Sequence, residues 1–176
     1  MTARGRVFAA AMAAAAAFVG TAAAPAWAAK APALAEGSFA ALAQPLPRPY
    51  NETADAARDV DAALARARAS HKLLLIDMGG NWCGDCRVLA GTMALPDLAP
   101  WVAAHFAVVT VDVGRFSRNM DIAARFGAPA PTGVPALLVV DPTSGRLIDA
   151  GHTIALADAR SMSPQALADW LAQWLG

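Results

Sequence analysis

The sequence predicts an α/β domain in which a central mixed β-sheet is flanked by helices on both faces. Three short continuous apolar runs, typical of strands covered on both faces, lie at 72–78, 106–113 and 136–140, and segments with helical periodicity separate them. The turn at 141–145 then returns the chain into 146–150 as a hairpin. A crossover connection followed by a hairpin produces a mixed sheet with helices on both faces.

The first helix is predicted to begin near Asn51. Either Asn51 or Thr53 can cap it, and its apolar residues recur at helical spacing as far as Ser70. The apolar run that follows is the first predicted strand. Gly79 and Gly80 interrupt this run, since glycine breaks regular structure. The chain is therefore expected to turn immediately after the first strand.

Four further helices complete the predicted order. One should begin within residues 83–86 and continue until Pro96, and Asp97 can cap a short helix behind it. Another is expected at 119–126. The last begins at Ser163, where a capping serine precedes a proline that suits the first helical turn.

The N-terminus has the pattern of a secretory signal peptide. Two arginines precede an apolar run at 7–19, and the sequence at 26–28 fits the small-x-small rule for cleavage. We expect residues 1–28 to be removed after Ala28 and the protein to be periplasmic or otherwise exported. A retained N-terminal membrane anchor and an ordinary alanine-rich helix are the alternatives, although the apolar run is shorter than the roughly 20 residues of a membrane span.

Two segments follow the predicted signal peptide. Residues 29–50 are rich in alanine and proline and are interpreted as a flexible or extended linker. Residues 51–176 are expected to form a single domain. Without the leader, which carries two basic residues and no acidic one, 12 basic residues face 14 acidic ones, for a charge of −2. This balance gives no indication of nucleic-acid binding.

The only two cysteines of the chain, Cys83 and Cys86, stand three positions apart where the first strand gives way to a helix. Thiols at this spacing can close a small disulfide ring, and the first can lie where helix N-terminal amides stabilise a thiolate. So small a ring adds little structural stability, which favours a redox role. The alternative is half of a zinc site, but the three histidines show no paired spacing.

The run from Leu73 to Cys86, together with Gly133-Val134-Pro135 farther along the chain, resembles the thioredoxin superfamily. The resemblance covers roughly 54–176. It depends on a tryptophan before Cys-Gly-x-Cys, a carboxylate six residues upstream of the first cysteine, and a proline before a later strand. It implies a thioredoxin-like fold in which Cys83 is the nucleophile that forms a mixed disulfide with the substrate and Cys86 resolves it.

Further residues of the site follow from the same resemblance. Asp77 lies in the first apolar run, where burial should raise its pKa. The resemblance makes Asp77 the buried acid that takes and returns the proton of Cys86, and a solvated aspartate at the strand end is the alternative. Pro135 resembles the family's cis-proline, and Val134 before it would present its main chain to the substrate. Trp82 would cover the site, although a tryptophan can also simply be packed.

Two features depart from the family pattern. Asp85 stands where thioredoxins usually carry proline, and its charge should disfavour a thiolate on Cys83. The helix N-terminus at Gly84 and the cation of Arg87 should favour that thiolate. We therefore expect a thiolate that is less stabilised than in strongly oxidising members of the family. The second departure is the longer segment at 152–162, which either shapes a partner surface or is neutral loop variation.

These inferences predict a thiol–disulfide oxidoreductase that reduces or exchanges disulfides in exported proteins and uses no cofactor beyond the cysteine pair. It resembles soluble thioredoxin-like proteins that receive electrons from a membrane-embedded thiol donor. A net disulfide oxidase or isomerase with the same site is one alternative. A binding module is the other, either a metal carrier that uses the two thiols or a redox-inert adaptor on the same scaffold.

Overall fold

Three strands form the sheet in the part of the chain that the structure describes, which is residue 1 and residues 29–176 of a computed structural model. The predicted signal peptide lies outside these residues apart from Met1, so its cleavage stays a prediction. No helix within the described residues is long and apolar enough to span a membrane. In chain order the helices and strands are α1 (Ala56–Ser70), β1 (Leu73–Gly79), α2 (Gly84–Met93), α3 (Ala99–His105), β2 (Phe106–Asp112), α4 (Asp121–Arg125), β3 (Ala136–Val140) and α5 (Pro164–Ala172).

The central strand of the sheet is β1. It pairs with β2 in parallel and with β3 antiparallel, in the order β2-β1-β3. All seven of its residues are buried, which explains why its sequence is a nearly continuous apolar run. In this register Asp77 lies opposite Thr110 of β2 and Leu137 of β3. The predicted fold class, a mixed sheet between helices, is confirmed.

The two faces of the sheet belong to separate hydrophobic layers. Successive side chains of a strand point to opposite faces, so Leu74 and Ile76 join the layer beneath α1 and α4. Leu73 and Leu75 join the layer formed with α2, α3 and α5. Helices therefore hold β1 from both sides and fix the position of its carboxyl end, where the cysteine motif begins.

The first helix begins later than its sequence predicts. Asp55 caps α1, because its carboxylate accepts a hydrogen bond from the Arg58 backbone N–H at 3.1 Å. The predicted caps, Asn51 and Thr53, are wrong. The Asn51 side chain instead accepts a hydrogen bond from the Thr53 backbone N–H at 3.0 Å, which closes a turn ahead of the helix.

The other two predicted caps have opposite outcomes. Asp97 does not cap α3, which begins after Leu98 without a side-chain cap. Ser163 does cap α5, since its hydroxyl oxygen accepts a hydrogen bond from the Ala166 backbone N–H at 3.2 Å. Pro164 then occupies the first position of the helix, as predicted.

The return strand predicted at 146–150 does not form. A single bridge joins Val140 to Leu147, and beyond it the Asp149 carboxylate accepts a hydrogen bond from the Val139 backbone N–H at 2.9 Å. A side chain therefore takes the donor that a fourth strand would have paired through its backbone. Burial raises the pKa of this carboxyl group to about 6.

The segment 29–50 packs against the rest of the fold, so that of the two predictions, a flexible or an extended linker, the flexible one is wrong. Leu42 and Tyr50 are buried, and the Leu34 backbone N–H donates to the side chain of Gln165 at 2.9 Å. The prolines favour an extended path, and buried apolar side chains hold that path against the helices. These residues therefore contribute to the stability of the folded unit.

We predict that Leu42→Ala lowers the free energy of unfolding by about 2–5 kcal/mol, because a buried leucine is truncated and leaves a cavity. In a flexible linker the same change would have almost no effect. Urea denaturation followed by circular dichroism measures the difference. Arg48→Ala, an exposed position in the same segment, is the matched control and should change stability by less than about 0.5 kcal/mol. Equal stability of Leu42→Ala and wild type would contradict the packing of this segment.

Candidate active site

The two cysteines lie at the N-terminus of α2, directly after β1. The Cys83 backbone N–H donates to the Gly80 carbonyl at 3.0 Å, which closes the turn between strand and helix. The cysteines form a disulfide with their Cα atoms 5.3 Å apart. Cys83 caps the helix, because the Cys86 backbone N–H points at its sulfur from 3.1 Å. Once the disulfide is reduced, this donor and the helix dipole stabilise a thiolate on Cys83.

The two sulfurs differ in their access to a partner. Cys83 is 6% exposed and Cys86 is completely buried, so an incoming disulfide meets Cys83 first. The sulfur of Cys83 also lies 3.5 Å from the Val134 carbonyl oxygen. The Val134–Pro135 peptide bond is cis and immediately precedes β3. Pairing of β3 with β1 thus brings the predicted substrate-facing residues to the cysteines.

Asp77 is fully buried in the central strand. Its Oδ1 accepts a hydrogen bond from the Tyr50 hydroxyl at 2.9 Å, whereas its Oδ2 has no hydrogen-bond partner. Burial raises the pKa of Asp77 to about 7, and the Tyr50 hydrogen bond opposes this rise only in part. The raised pKa agrees with the sequence prediction, and the alternative of a solvated strand-end aspartate is wrong.

Tyr50 and Asn81 belong to the site although the sequence did not single them out. The Tyr50 backbone N–H donates to Asn81 Oδ1 at 3.2 Å, and Asn81 Nδ2 donates back to the Tyr50 carbonyl at 2.7 Å. This pair of bonds holds Tyr50 beside the start of the cysteine motif. One signal was available: Tyr50 is the only tyrosine of the chain, and it ends a proline-rich segment.

Asp85 is paired with Arg160, which sequence reasoning also missed. The Arg160 Nε–H donates to Asp85 Oδ1 at 3.0 Å, its Nη2 lies 3.0 Å from Oδ2, and its backbone N–H donates to Oδ1 at 2.8 Å. This arrangement counters the negative charge that was expected to disfavour the Cys83 thiolate. The sequence predicts that the helix N-terminus and Arg87 oppose the Asp85 charge, whereas the cation paired with Asp85 is Arg160.

The segment 152–162 reaches the active site through Arg160. Its guanidinium lies over Gly84, where an added Cβ would be 3.3 Å from Nη1. The side chain of Arg160 is 64% exposed, so its cation faces solvent close to the disulfide. Arg87, predicted to favour the Cys83 thiolate, also has a structural role. Its guanidinium donates to two main-chain carbonyls of the segment 29–50 and anchors that segment to α2.

Trp82 borders the site and remains exposed. Its indole N–H donates to the Gly114 carbonyl, and its ring meets the exposed ring of Phe116 edge-on at a centroid distance of 6.0 Å. The Arg115 guanidinium carbon lies 5.0 Å from the centre of the same indole ring. An exposed aromatic patch, Trp82 and Phe116, therefore lies next to Cys83.

Comparison with known proteins agrees with this geometry. A family model described as Thioredoxin-like matches residues 55–142. The crystal structure of a disulphide isomerase from Xylella fastidiosa Temecula1 is similar, with 39% sequence identity and a TM-score of 0.67. That match covers 73% of this chain and 97% of the other. No curated protein matches the sequence. Within the described residues, no group of three or more histidine, cysteine, aspartate or glutamate side chains is arranged to hold a metal ion.

We predict that Asp77→Asn raises the stability of the oxidised protein at pH 8 but not at pH 4. The pKa of Asp77 is about 7 when folded and 3.8 when exposed, so the folded state holds a proton that the unfolded state releases. Wild-type stability therefore falls as the pH rises through this window, and the amide avoids the loss, which is on the order of 3–4 kcal/mol.

Urea denaturation at both pH values measures this difference. Asp97→Asn, at an exposed position, is the control and should show no such pH dependence. A stability difference between Asp77→Asn and wild type that is the same at pH 4 and pH 8 would contradict the raised pKa.

We predict that Arg160→Gln raises the pKa of the Cys83 thiol in the reduced protein, because Asp85 then acts on the thiolate without compensation. Alkylation of Cys83 by iodoacetamide at pH 6.5 should slow by about 3- to 10-fold, as followed by mass spectrometry. Adding Asp85→Asn to this variant should restore the rate. Arg146→Gln removes a cation beyond the opposite end of β3 and is the charge-matched control. Unchanged alkylation in Arg160→Gln would show that the ion pair does not govern the thiolate.

Proposed function

Because this chain belongs to the thioredoxin-like family and is a thiol–disulfide oxidoreductase, we propose that it reduces or exchanges disulfides in exported protein partners. One observation carries the proposal: the Cys83–Cys86 disulfide caps a helix, with the cis Val134–Pro135 peptide beside the more accessible sulfur. A disulfide that served only to cross-link the fold would gain little from so short a ring, and here the first sulfur is the less buried of the two.

The proposed reaction consists of two exchanges. The Cys83 thiolate attacks one sulfur of a client disulfide, so that a mixed disulfide forms and the other client sulfur leaves as a thiolate. Deprotonated Cys86 then attacks the Cys83 sulfur, the ring closes, and the remaining client sulfur leaves. Two electrons pass from the cysteine pair to the client, whose thiolates take up two protons. The pair itself carries the electrons, so the reaction needs no further cofactor.

Asp77 is proposed to take the proton of Cys86 before the second exchange. A base with a pKa of about 7 can accept a proton and return it near neutral pH. Asp77 also lies at the carboxyl-terminal part of β1, the strand that leads into the cysteine motif. In the oxidising direction the same carboxyl group would protonate the departing Cys86 thiolate.

The surroundings of Cys83 support a protein client. The Val134 carbonyl lies beside its sulfur and offers main-chain recognition, which does not depend on the client's sequence. The exposed aromatic patch, Trp82 and Phe116, adjoins this edge and supplies apolar contact area. A polypeptide in an extended conformation could bind the Val134 carbonyl through its main chain and contact the aromatic patch through its side chains.

The cellular setting is part of the proposal. The basic start, the apolar run and the Ala-x-Ala sequence support export with cleavage after Ala28. An exported reductase needs electrons from across the membrane, so we propose a membrane-embedded thiol protein as its donor. N-terminal sequencing of the protein from a periplasmic fraction tests the cleavage; an intact N-terminus in the membrane fraction would favour the anchor.

Disulfide isomerisation is the second candidate, and the solved structure of the similar Xylella protein favours it, since that protein is described as a disulphide isomerase. Pairing of Asp85 with Arg160 also weakens the argument that the Asp85 charge disfavours the Cys83 thiolate. Isomerisation transfers no net electrons, because the client's own thiol resolves the mixed disulfide.

We predict that the protein accelerates reduction of insulin by dithiothreitol and that Cys83→Ser abolishes the acceleration, because Cys83 is the attacking thiol. Turbidity of the released insulin chain measures the rate. Ser144→Ala, in the turn beyond the far end of β3, is the control and should retain the wild-type rate. Equal rates for Cys83→Ser and wild type would remove the catalytic claim.

The Cys86→Ala variant separates the two candidates. It should lose net reduction but retain reactivation of scrambled ribonuclease if the protein is an isomerase, since that reaction needs only the first thiol. Loss of both activities would favour the reductase. The same variant leaves the mixed disulfide unresolved, so mass spectrometry of captured proteins identifies the client.

A further inference from the structure

The hydroxyl group of Tyr50 lies close to both the carboxylate of Asp77 and the sulfur of Cys86. It donates to Asp77 Oδ1 at 2.9 Å. A Cβ added at Gly79 would lie 2.5 Å from the hydroxyl oxygen and 2.8 Å from the Cys86 sulfur, so these two atoms border the same small space. The Tyr50 hydroxyl oxygen and the Cys86 sulfur are therefore closer to each other than the sum of their two distances from that Cβ. Any side chain at position 79 would enter this space, which only glycine leaves open.

The position of Tyr50 is held by side chains that flank the cysteine motif. Asn81 binds its backbone at both the N–H and the carbonyl, as described above. The Thr110 hydroxyl donates to the carbonyl of Pro49 at 3.0 Å, and Arg87 fixes the main chain a few residues earlier. An aromatic ring that only filled core volume would not need so many polar contacts on its own backbone and on the main chain before it.

The other carboxylate oxygen of Asp77, Oδ2, takes no part in this hydrogen bond. It has no partner, and Asp77 lines an open, mostly apolar cavity of about 320 Å³ between α2 and β2. Asp77 is the only titratable group among the described residues that line this cavity, whose other walls include Ala90, Met93 and Val108. The cavity has room for water beside the buried residue.

We propose that Tyr50 is a proton-relay residue: when Cys86 attacks the mixed disulfide, the Tyr50 oxygen takes the Cys86 thiol proton while its own proton passes to Asp77. This inference depends on the proposed function. One S–H bond and one O–H bond break, and a new O–H bond forms at each oxygen, so tyrosine ends neutral and Asp77 ends protonated. The Cys86 thiolate then forms the bond to Cys83, and the client thiolate leaves with the electron pair of the broken disulfide.

The charged groups around the relay suit a neutral tyrosine. Burial raises the pKa of Tyr50, and the charges of Asp77 and Asp112 raise it further. Asp112, at the end of β2, is itself accompanied by Arg118, whose Nε lies 3.6 Å from its Oδ1. A phenolate is therefore disfavoured, and the hydroxyl can pass a proton only by giving one as it receives another.

The test uses 5,5′-dithiobis(2-nitrobenzoate) with the reduced protein. The first thionitrobenzoate released reports attack by Cys83, and the second reports attack by Cys86 on the mixed disulfide. Tyr50→Phe keeps the ring and removes the hydroxyl. We expect an unchanged first phase and a second phase slowed about 10-fold or more at pH 6–7. Near pH 9 an ordinary thiol ionises without the help of a base. The second phase of the variant should therefore approach the wild-type rate at that pH.

A double-mutant comparison distinguishes a relay from loosened packing. Asp77→Asn should slow the second phase similarly, and Tyr50→Phe with Asp77→Asn should be no slower than the slower single variant. The proposal would be overturned if the two substitutions slowed the second phase by factors that multiply in the double variant. A second phase that is unchanged in Tyr50→Phe would also overturn it. Ser144→Ala should match wild type in both phases. Absence of the first phase in the wild type would instead overturn the proposed function.

A second measurement applies if Tyr50→Phe does not fold. Since Tyr50 is the only tyrosine, growth on 3-fluorotyrosine labels this position alone and makes the hydroxyl a stronger donor. A stronger hydrogen bond should lower the pKa of Asp77. The acid limb of the second-phase pH profile should therefore move to lower pH while the first phase stays unchanged. An unmoved profile would overturn the relay.

Discussion

The buried carboxylate of Asp77 is the constraint on which the rest of the site depends. It lies in the middle of a sheet, on a strand whose neighbours on the same face are leucines, and only one of its oxygens is hydrogen-bonded. Such a group destabilises the fold whenever it is ionised. An apolar side chain would be more stable there, which is the pattern expected where function rather than packing selects a residue.

The N-terminal segment contributes one residue to the environment of this acid. Tyr50 reaches Asp77 from outside the sheet; Asn81 holds the backbone of Tyr50, and Thr110 and Arg87 bind the main chain just before it. The family match begins at residue 55, so the residue that meets Asp77 lies outside the matched part of the chain. The active site of this protein therefore combines a family motif with a segment in front of it.

Electrostatics at Cys83 depends on a second long-range contact. Arg160 reaches Asp85 across 75 positions of sequence and places a cation over Gly84. In isolation the Asp85 charge would raise the pKa of the thiol, whereas the helix N-terminus lowers it. The paired arginine opposes the effect of Asp85, while the helix dipole and the Cys86 N–H act in favour of the thiolate. A residue of the segment before α5 therefore contributes to the electrostatics of the nucleophile.

The sequence by itself determined the cysteine pair, the order of the helices and of the three strands that form, and an acid in a buried strand, because each depends on residues close together in the chain. Periodicity and capping patterns are local, and so is the position of a carboxylate in an apolar run. Only the tertiary structure decided that Tyr50 meets Asp77, that Arg160 neutralises Asp85, and that Asp149 replaces a fourth strand. These contacts join distant segments, and their partners are chosen by packing geometry, which no local pattern encodes.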